Sequence, residues 1–80
     1  MSTLAAAQMT ALWLYVTREA KAGNQLNAEQ LRDSLWLACQ EYYDRLELQD
    51  LSMGLTPTQE EARRELADFL YPVPQPGDIT

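Results

Sequence analysis

The chain has 80 residues, with twelve acids against six bases, a net charge of −6 and a single cysteine. This length predicts one small domain, and one cysteine excludes an intrachain disulfide framework. The acidic balance argues against direct binding of nucleic acid and against adsorption to anionic membranes, because both need a basic surface. We therefore expect a cytoplasmic protein whose fold is held together by helix packing.

The first predicted helix runs from about residue 3 to residue 22, and its most informative property is the absence of charge. No side chain in residues 1–17 is charged. The segment lacks the basic start of a secretory signal, and it is too short and too interrupted by polar residues for a membrane span. We expect Ser2 or Thr3 to cap this helix and Gly23 to end it. A helix with so little charge is expected to be buried in the fold or against a partner.

Apolar residues form two faces on this first helix at helical spacing. One face contains Ala5, Met9, Leu12, Trp13, Val16 and Ala20, and the other contains Leu4, Ala7, Ala11, Leu14 and Tyr15. A helix at the edge of a bundle needs only one apolar stripe. Two alternatives follow. Either both faces pack within the chain against the other two helices, or the second face contacts another protein.

The second predicted helix spans about residues 28 to 48. Asn27 and Gln30 stand at the two positions of a capping box, in which each side chain accepts a hydrogen bond from the other residue's backbone. The predicted core face contains Ala28, Leu31, Leu35, Ala38, Cys39, Tyr42 and Leu46. Trp36 and Tyr43 widen this face on one side, whereas Leu37 and Leu48 stand on the opposite side of the helix.

The third predicted helix begins after Thr56, with Pro57 at its first position and Gln59 completing a second capping box. Its buried stripe is predicted to contain Ala62, Leu66, Phe69 and Leu70. Pro72 is expected to end the helix, and residues 72–77 have the composition of an extended, polyproline-like segment. The predicted fold is therefore all-α: a three-helix bundle over residues 1–71, followed by an extended proline-rich C-terminal tail over residues 72–80.

The sequence offers little for catalysis or for metal binding. It has no histidine, which removes the usual general base near neutral pH and most zinc sites. Cys39 lies on a predicted core face and is expected to be an inert buried thiol. The clustered acids Glu61, Glu65 and Asp68, and likewise Glu41 and Asp44, lie off the apolar stripes and indicate a solvated acidic face. We predict no catalytic, cofactor or metal site, and an enzyme or metal carrier is the third hypothesis.

The leading hypothesis is a small acidic module for protein–protein interaction that self-associates, as a homodimer, and acts as an adaptor or regulator. It rests on the surplus of apolar surface, because Trp and Tyr are enriched at interfaces and an exposed apolar patch marks a contact site. The residues predicted to bind the partner are Leu4, Ala11, Leu14, Tyr15, Trp36, Leu37, Tyr43 and Leu48.

The alternative is an acidic inhibitor, of the kind encoded by phages or mobile elements, that masks a nucleic-acid-binding surface of its target. This hypothesis requires an array of acids that is not neutralised by nearby arginines. Arg63 and Arg64, the adjacent basic pair, are expected to form ion pairs with the acids that flank them in their own helix.

Overall fold

The computed structural model describes residues 3–72 and contains four α-helices in this range: α1 (Thr3–Lys21), α2 (Ala28–Asp33), α3 (Leu35–Ser52) and α4 (Pro57–Leu70). Helices α1, α3 and α4 each pack against the other two, whereas α2 contacts α3. The prediction of an all-α bundle is confirmed. The predicted cap at Ser2 and the predicted tail from residue 73 onward lie outside the described residues.

Gly23 ends α1, as expected from the sequence. It has a φ of 89°, in the left-handed region that glycine adopts at low cost. The amide of Asn24 donates to the carbonyl of Glu19 at 2.8 Å, and the amide of Gly23 donates to the carbonyl of Ala20 at 3.0 Å. These two bonds define a Schellman motif. The side-chain amide of Asn24 also donates to the Glu19 carboxylate at 2.9 Å, which fastens the end of the helix.

Both predicted capping boxes are present. Asn27 Oδ1 accepts from the amide of Gln30 at 2.8 Å, and Gln30 Oε1 accepts from the amide of Asn27 at 2.9 Å. Thr56 Oγ1 accepts from the amide of Gln59 at 3.2 Å, and Gln59 Oε1 accepts from the amide of Thr56 at 3.0 Å. Gln59 Oε1 also accepts a hydrogen bond from the side-chain amide of Gln49, at 2.9 Å. The first turn of α4 is thereby joined to α3.

The second predicted helix is two helices, with Ser34 between them. Ser34 has φ −91° and ψ 0°, and its amide still donates to the Gln30 carbonyl at 2.9 Å. The break is therefore local. Its physical reason is packing: α2 buries none of its residues, whereas α3 enters the core from Ala38 onward. At its other end, α3 continues past Leu48 to Ser52, since the next residue suited to a left-handed conformation is Gly54, with φ 81°.

The core lies between α1, α3 and α4 and is rich in small side chains. Its buried residues are Ala7, Ala11, Ala38, Cys39, Leu46, Ala62, Leu66 and Leu70. Half-buried apolar side chains surround it: Leu4, Leu12, Tyr15, Leu35, Tyr42, Tyr43, Leu55 and Phe69. The stripe predicted for the third helix is confirmed. The core face predicted for the second helix holds for α3, but Ala28 is exposed because α2 lies away from the core.

The face of α1 assigned to a partner is turned toward the chain's own core. Ala11 is 1% exposed, and Leu4 and Tyr15 pack against the buried cluster. The prediction that Ala11 meets another protein is therefore wrong. Leu4, Leu14 and Tyr15 are half-buried, and their contact with a partner stays a prediction. The physical reason is size. Alanines allow the helix backbones to approach closely, whereas Trp13 on the other face is too bulky for such a contact.

Candidate interaction surface

The side of α1 that faces away from the bundle carries no charged residue. We call it the outer face of α1, and it comprises Ala6, Met9, Thr10, Trp13, Thr17 and Ala20. Two of its members are large and strongly exposed: Met9 at 59% and Trp13 at 66%. Positions 6, 10, 13, 17 and 20 follow one another at alternating spacings of four and three residues. This is the spacing of a seam along which one helix packs against another.

The two hydroxyl groups on the outer face of α1 are already hydrogen-bonded within the helix. Thr10 Oγ1 donates to the carbonyl of Ala6 at 3.0 Å, and Thr17 Oγ1 donates to the carbonyl of Trp13 at 2.8 Å. A buried hydroxyl without a partner is destabilising by about 1–3 kcal/mol. Because these hydroxyls keep their partners without water, a second helix can cover the face without that penalty.

Charged residues begin near the end of α1, and the first of them, Arg18, pairs with α3. Arg18 lies 2.7 Å from the Glu41 carboxylate and 3.1 Å from that of Glu19, and its guanidinium lies 5.1 Å from the centre of the Tyr15 ring. The hydrogen bond with Glu41 is the main cause that raises the pKa of Arg18, followed by the bond with Glu19. These contacts hold the Arg18 charge against α3 and away from the outer face of α1.

The eight residues predicted to bind a partner do not form one surface. Trp36 and Leu37, near the start of α3, are 46% and 45% exposed, and Leu48 is 68% exposed. Tyr43 instead packs on the core, where its ring meets that of Tyr71 edge-on with 5.9 Å between centroids. Leu4, Ala11, Leu14 and Tyr15 are turned inward or half-buried, as described above.

A second exposed apolar surface lies at the C-terminal end of α3. Leu51 is 85% exposed and Met53 is 80% exposed, and both lie close in sequence to Leu48. We call these three residues the α3 end. Sequence reasoning missed Leu51, Met53 and the exposure of Met9 and Trp13. The signal that was available for α1 is that Ala7 and Ala11 lie on the face opposite Met9 and Trp13.

The acidic side chains do not form one array without basic partners. Arg63 Nη1 lies 2.8 Å from Asp50 and 4.0 Å from Glu47, both on α3, so the prediction that Arg63 pairs within its own helix is wrong. Arg64 follows that prediction through Glu61, at 3.7 Å. The hydrogen bond with Asp50 is the main cause that raises the pKa of Arg63. The expected acidic face is thus partly neutralised.

Cys39 is fully buried, at 0% exposure, and burial raises the pKa of its thiol. The thiolate is the reactive form of cysteine, so both facts favour an inert core thiol. Across residues 3–72 no group of three or more acids and cysteines is arranged to hold a metal ion.

We expect Cys39 to react with a chromogenic disulfide reagent far more slowly in the native protein than in denaturant. Burial keeps the reagent away from the sulfur atom, and the raised pKa keeps the sulfur protonated at neutral pH. The measurement is the rate of thiol labelling with and without guanidinium chloride. Rapid labelling of the native protein at neutral pH would show that Cys39 is accessible and reactive.

No helix in the described part of the chain has both the length and the apolar character needed to cross a membrane. Comparisons with models of protein families, with curated proteins and with solved structures found no match to this chain. The exposed surfaces of the described residues are therefore the features that point to a function.

Proposed function

We propose that this chain is a small helical module for protein–protein interaction that forms a homodimer through the outer face of α1. The observation that carries the proposal is the uncharged seam of that face, on which Trp13 is 66% exposed and Met9 is 59% exposed. Large exposed apolar side chains in one patch mark contact sites on small proteins. Trp is also among the residues that contribute most to binding energy at interfaces.

The distribution of charge permits a second copy as the occupant. Each chain carries a net charge of −6, so two copies repel each other wherever their charged surfaces meet. The outer face of α1 is free of this repulsion, because residues 1–17 carry no charged side chain. A two-fold axis across this face pairs the same patch with itself, which is the commonest symmetry of oligomers.

The size of the face sets the expected affinity. A helix of 19 residues is about 28 Å long, and one face of such a helix is smaller than the roughly 800 Å² that each partner buries in a standard interface. We therefore expect a reversible dimer with a dissociation constant on the order of micromolar rather than nanomolar.

The role of adaptor or regulator is part of the proposal. The α3 end supports it, because Leu48, Leu51 and Met53 lie at the end of a different helix and are not used by a dimer formed through α1. A cytoplasmic location is also proposed, supported by the lone Cys39. The acidic inhibitor finds less support, since Glu41, Glu47 and Glu61 each lie within 4.0 Å of a guanidinium nitrogen.

We expect Trp13→Glu to convert the dimer into a folded monomer. The substitution removes the largest apolar side chain of the outer face and brings two carboxylates together across the two-fold axis. The measurement is molar mass by size-exclusion chromatography with light scattering, from low micromolar to millimolar concentration. Because Trp13 does not contribute to the core, the helical circular dichroism of the variant should be unchanged.

Leu51→Glu is the matched control. It places the same charge on a side chain that is even more exposed, at 85%, but on the α3 end. We expect it to leave the dimer intact. A wild-type chain that stays monomeric at millimolar concentration would contradict the proposal. Loss of the dimer in Leu51→Glu but not in Trp13→Glu would assign the contact to the α3 end instead.

A further inference from the structure

A cavity of about 370 Å³ lies between α1 and α3. Its volume falls within the roughly 300–1,000 Å³ of sites that hold small molecules. The apolar part of its lining comes from Ala11, Leu14 and Ala38, and the rings of Tyr15 and Tyr42 also line it. These residues offer a surface on which the hydrocarbon or aromatic body of a ligand can lie.

The net charge of the residues that line the cavity is positive, whereas that of the protein is negative. Arg18, Lys21 and Arg45 all line it, which is half of the six basic residues in a chain of net charge −6. The acid in the same lining is Glu41, and Arg18 holds it at 2.7 Å. No carboxylate of the described residues is found within 4.0 Å of Lys21 or Arg45. Two cations are therefore available for a ligand.

We propose that this cavity binds a small organic anion in which a carboxylate or phosphate group is attached to an apolar body. The apolar body lies against Ala11, Ala38 and the two tyrosine rings, and the anionic group pairs with Lys21 and Arg45. Charge-assisted hydrogen bonds of this kind are stronger than those between neutral groups. The site goes beyond the proposed dimerisation, because the outer face of α1 shares only Thr17 with the cavity lining.

The experiment titrates the ¹⁵N-labelled full chain with 2-naphthoate and follows backbone amide shifts. We expect saturable shifts at Tyr15, Ala38 and Tyr42. The neutral isostere 2-naphthamide should bind about tenfold more weakly or worse, because it keeps the ring and loses the charge. A parallel titration uses 2-naphthyl phosphate. Whichever of 2-naphthyl phosphate and 2-naphthoate has the lower dissociation constant carries the preferred anionic group.

The double variant Lys21→Gln, Arg45→Gln should also bind 2-naphthoate about tenfold more weakly or worse. Both side chains are exposed, so the fold should be kept, which circular dichroism verifies. The matched control is Arg32→Gln, which removes an exposed cation of α2 outside the cavity and should leave the dissociation constant unchanged.

Three results would overturn the proposal: no saturable shift at millimolar 2-naphthoate, equal affinity for 2-naphthamide, or shifts confined to the outer face of α1. The comparison of 2-naphthoate with 2-naphthamide uses the unmodified chain and does not depend on how any variant folds. It is also independent of the oligomeric state, so this proposal and the proposed dimer can fail separately.

Discussion

Ala11→Glu is expected to unfold the protein, whereas Trp13→Glu, two residues further along the same helix, should leave the fold intact. Ala11 is 1% exposed, and the described residues contain no buried polar or charged side chain. The longer side chain would be forced between closely packed helix backbones, and the effective penalty for removing its carboxylate from water is several kcal/mol. A domain of this size is stable by only about 4–12 kcal/mol in total, so most of its stability would be lost. Far-UV circular dichroism and urea titration measure the effect.

Ala6→Glu is the matched control for Ala11→Glu. It makes the same residue change in the same helix, with the same change in intrinsic propensity, but at an exposed position on the outer face. We expect Ala6→Glu to fold and to self-associate less. If the two variants had the same urea midpoint, Ala11 could not be a core residue, and the orientation of α1 described here would be wrong.

Leu66→Ala is expected to lower the free energy of unfolding by about 3 kcal/mol, within the range for large-to-small changes in cores. Leu66 is 0% exposed. Among the described residues, the largest fully buried side chains are those of Leu46, Leu66 and Cys39. With so few large side chains inside, the neighbouring alanines cannot fill the space. For a domain of this length the loss corresponds to a fall of about 15 °C in the melting temperature.

The control for Leu66→Ala is Leu51→Ala, which deletes the same atoms from a side chain that is 85% exposed. We expect its free energy of unfolding to stay within about 0.5 kcal/mol of the wild-type value. Thermal and urea denaturation of both variants at one protein concentration make the comparison. Similar midpoints for the two variants would show that Leu66 is not central to the packing.

Several beginnings and ends of the helices could be predicted from the sequence because local chemistry determines them. Gly23 ends α1, and the Asn27 and Thr56 caps depend on groups within a few residues of one another along the chain. The break at Ser34 could not be predicted, since serine is compatible with a helix interior and the break depends on where packing begins. The same holds for Arg63, whose partners on α3 are neighbours only after the helices have packed.

The candidate surface was harder to predict than the fold. Periodicity identifies two apolar faces on α1, but it does not say which face meets the rest of the chain. That choice depends on how closely two helix backbones can approach, and the small side chains of Ala7 and Ala11 decide it. Leu37 and Leu48 were predicted to lie on the side of the helix opposite the core, and both are exposed. Exposure alone does not show that residues belong to one surface.

The oxygen shared by two hydrogen bonds at the start of α4 has a consequence for how the fold assembles. Gln59 Oε1 accepts from the amide of Thr56 and from the side chain of Gln49, so one atom both completes the first turn of α4 and attaches that turn to α3. Nucleation is the unfavourable step in forming a helix. Because the same oxygen also holds α4 against α3, we expect a substitution of Gln59 to weaken both the first turn of α4 and its attachment to α3.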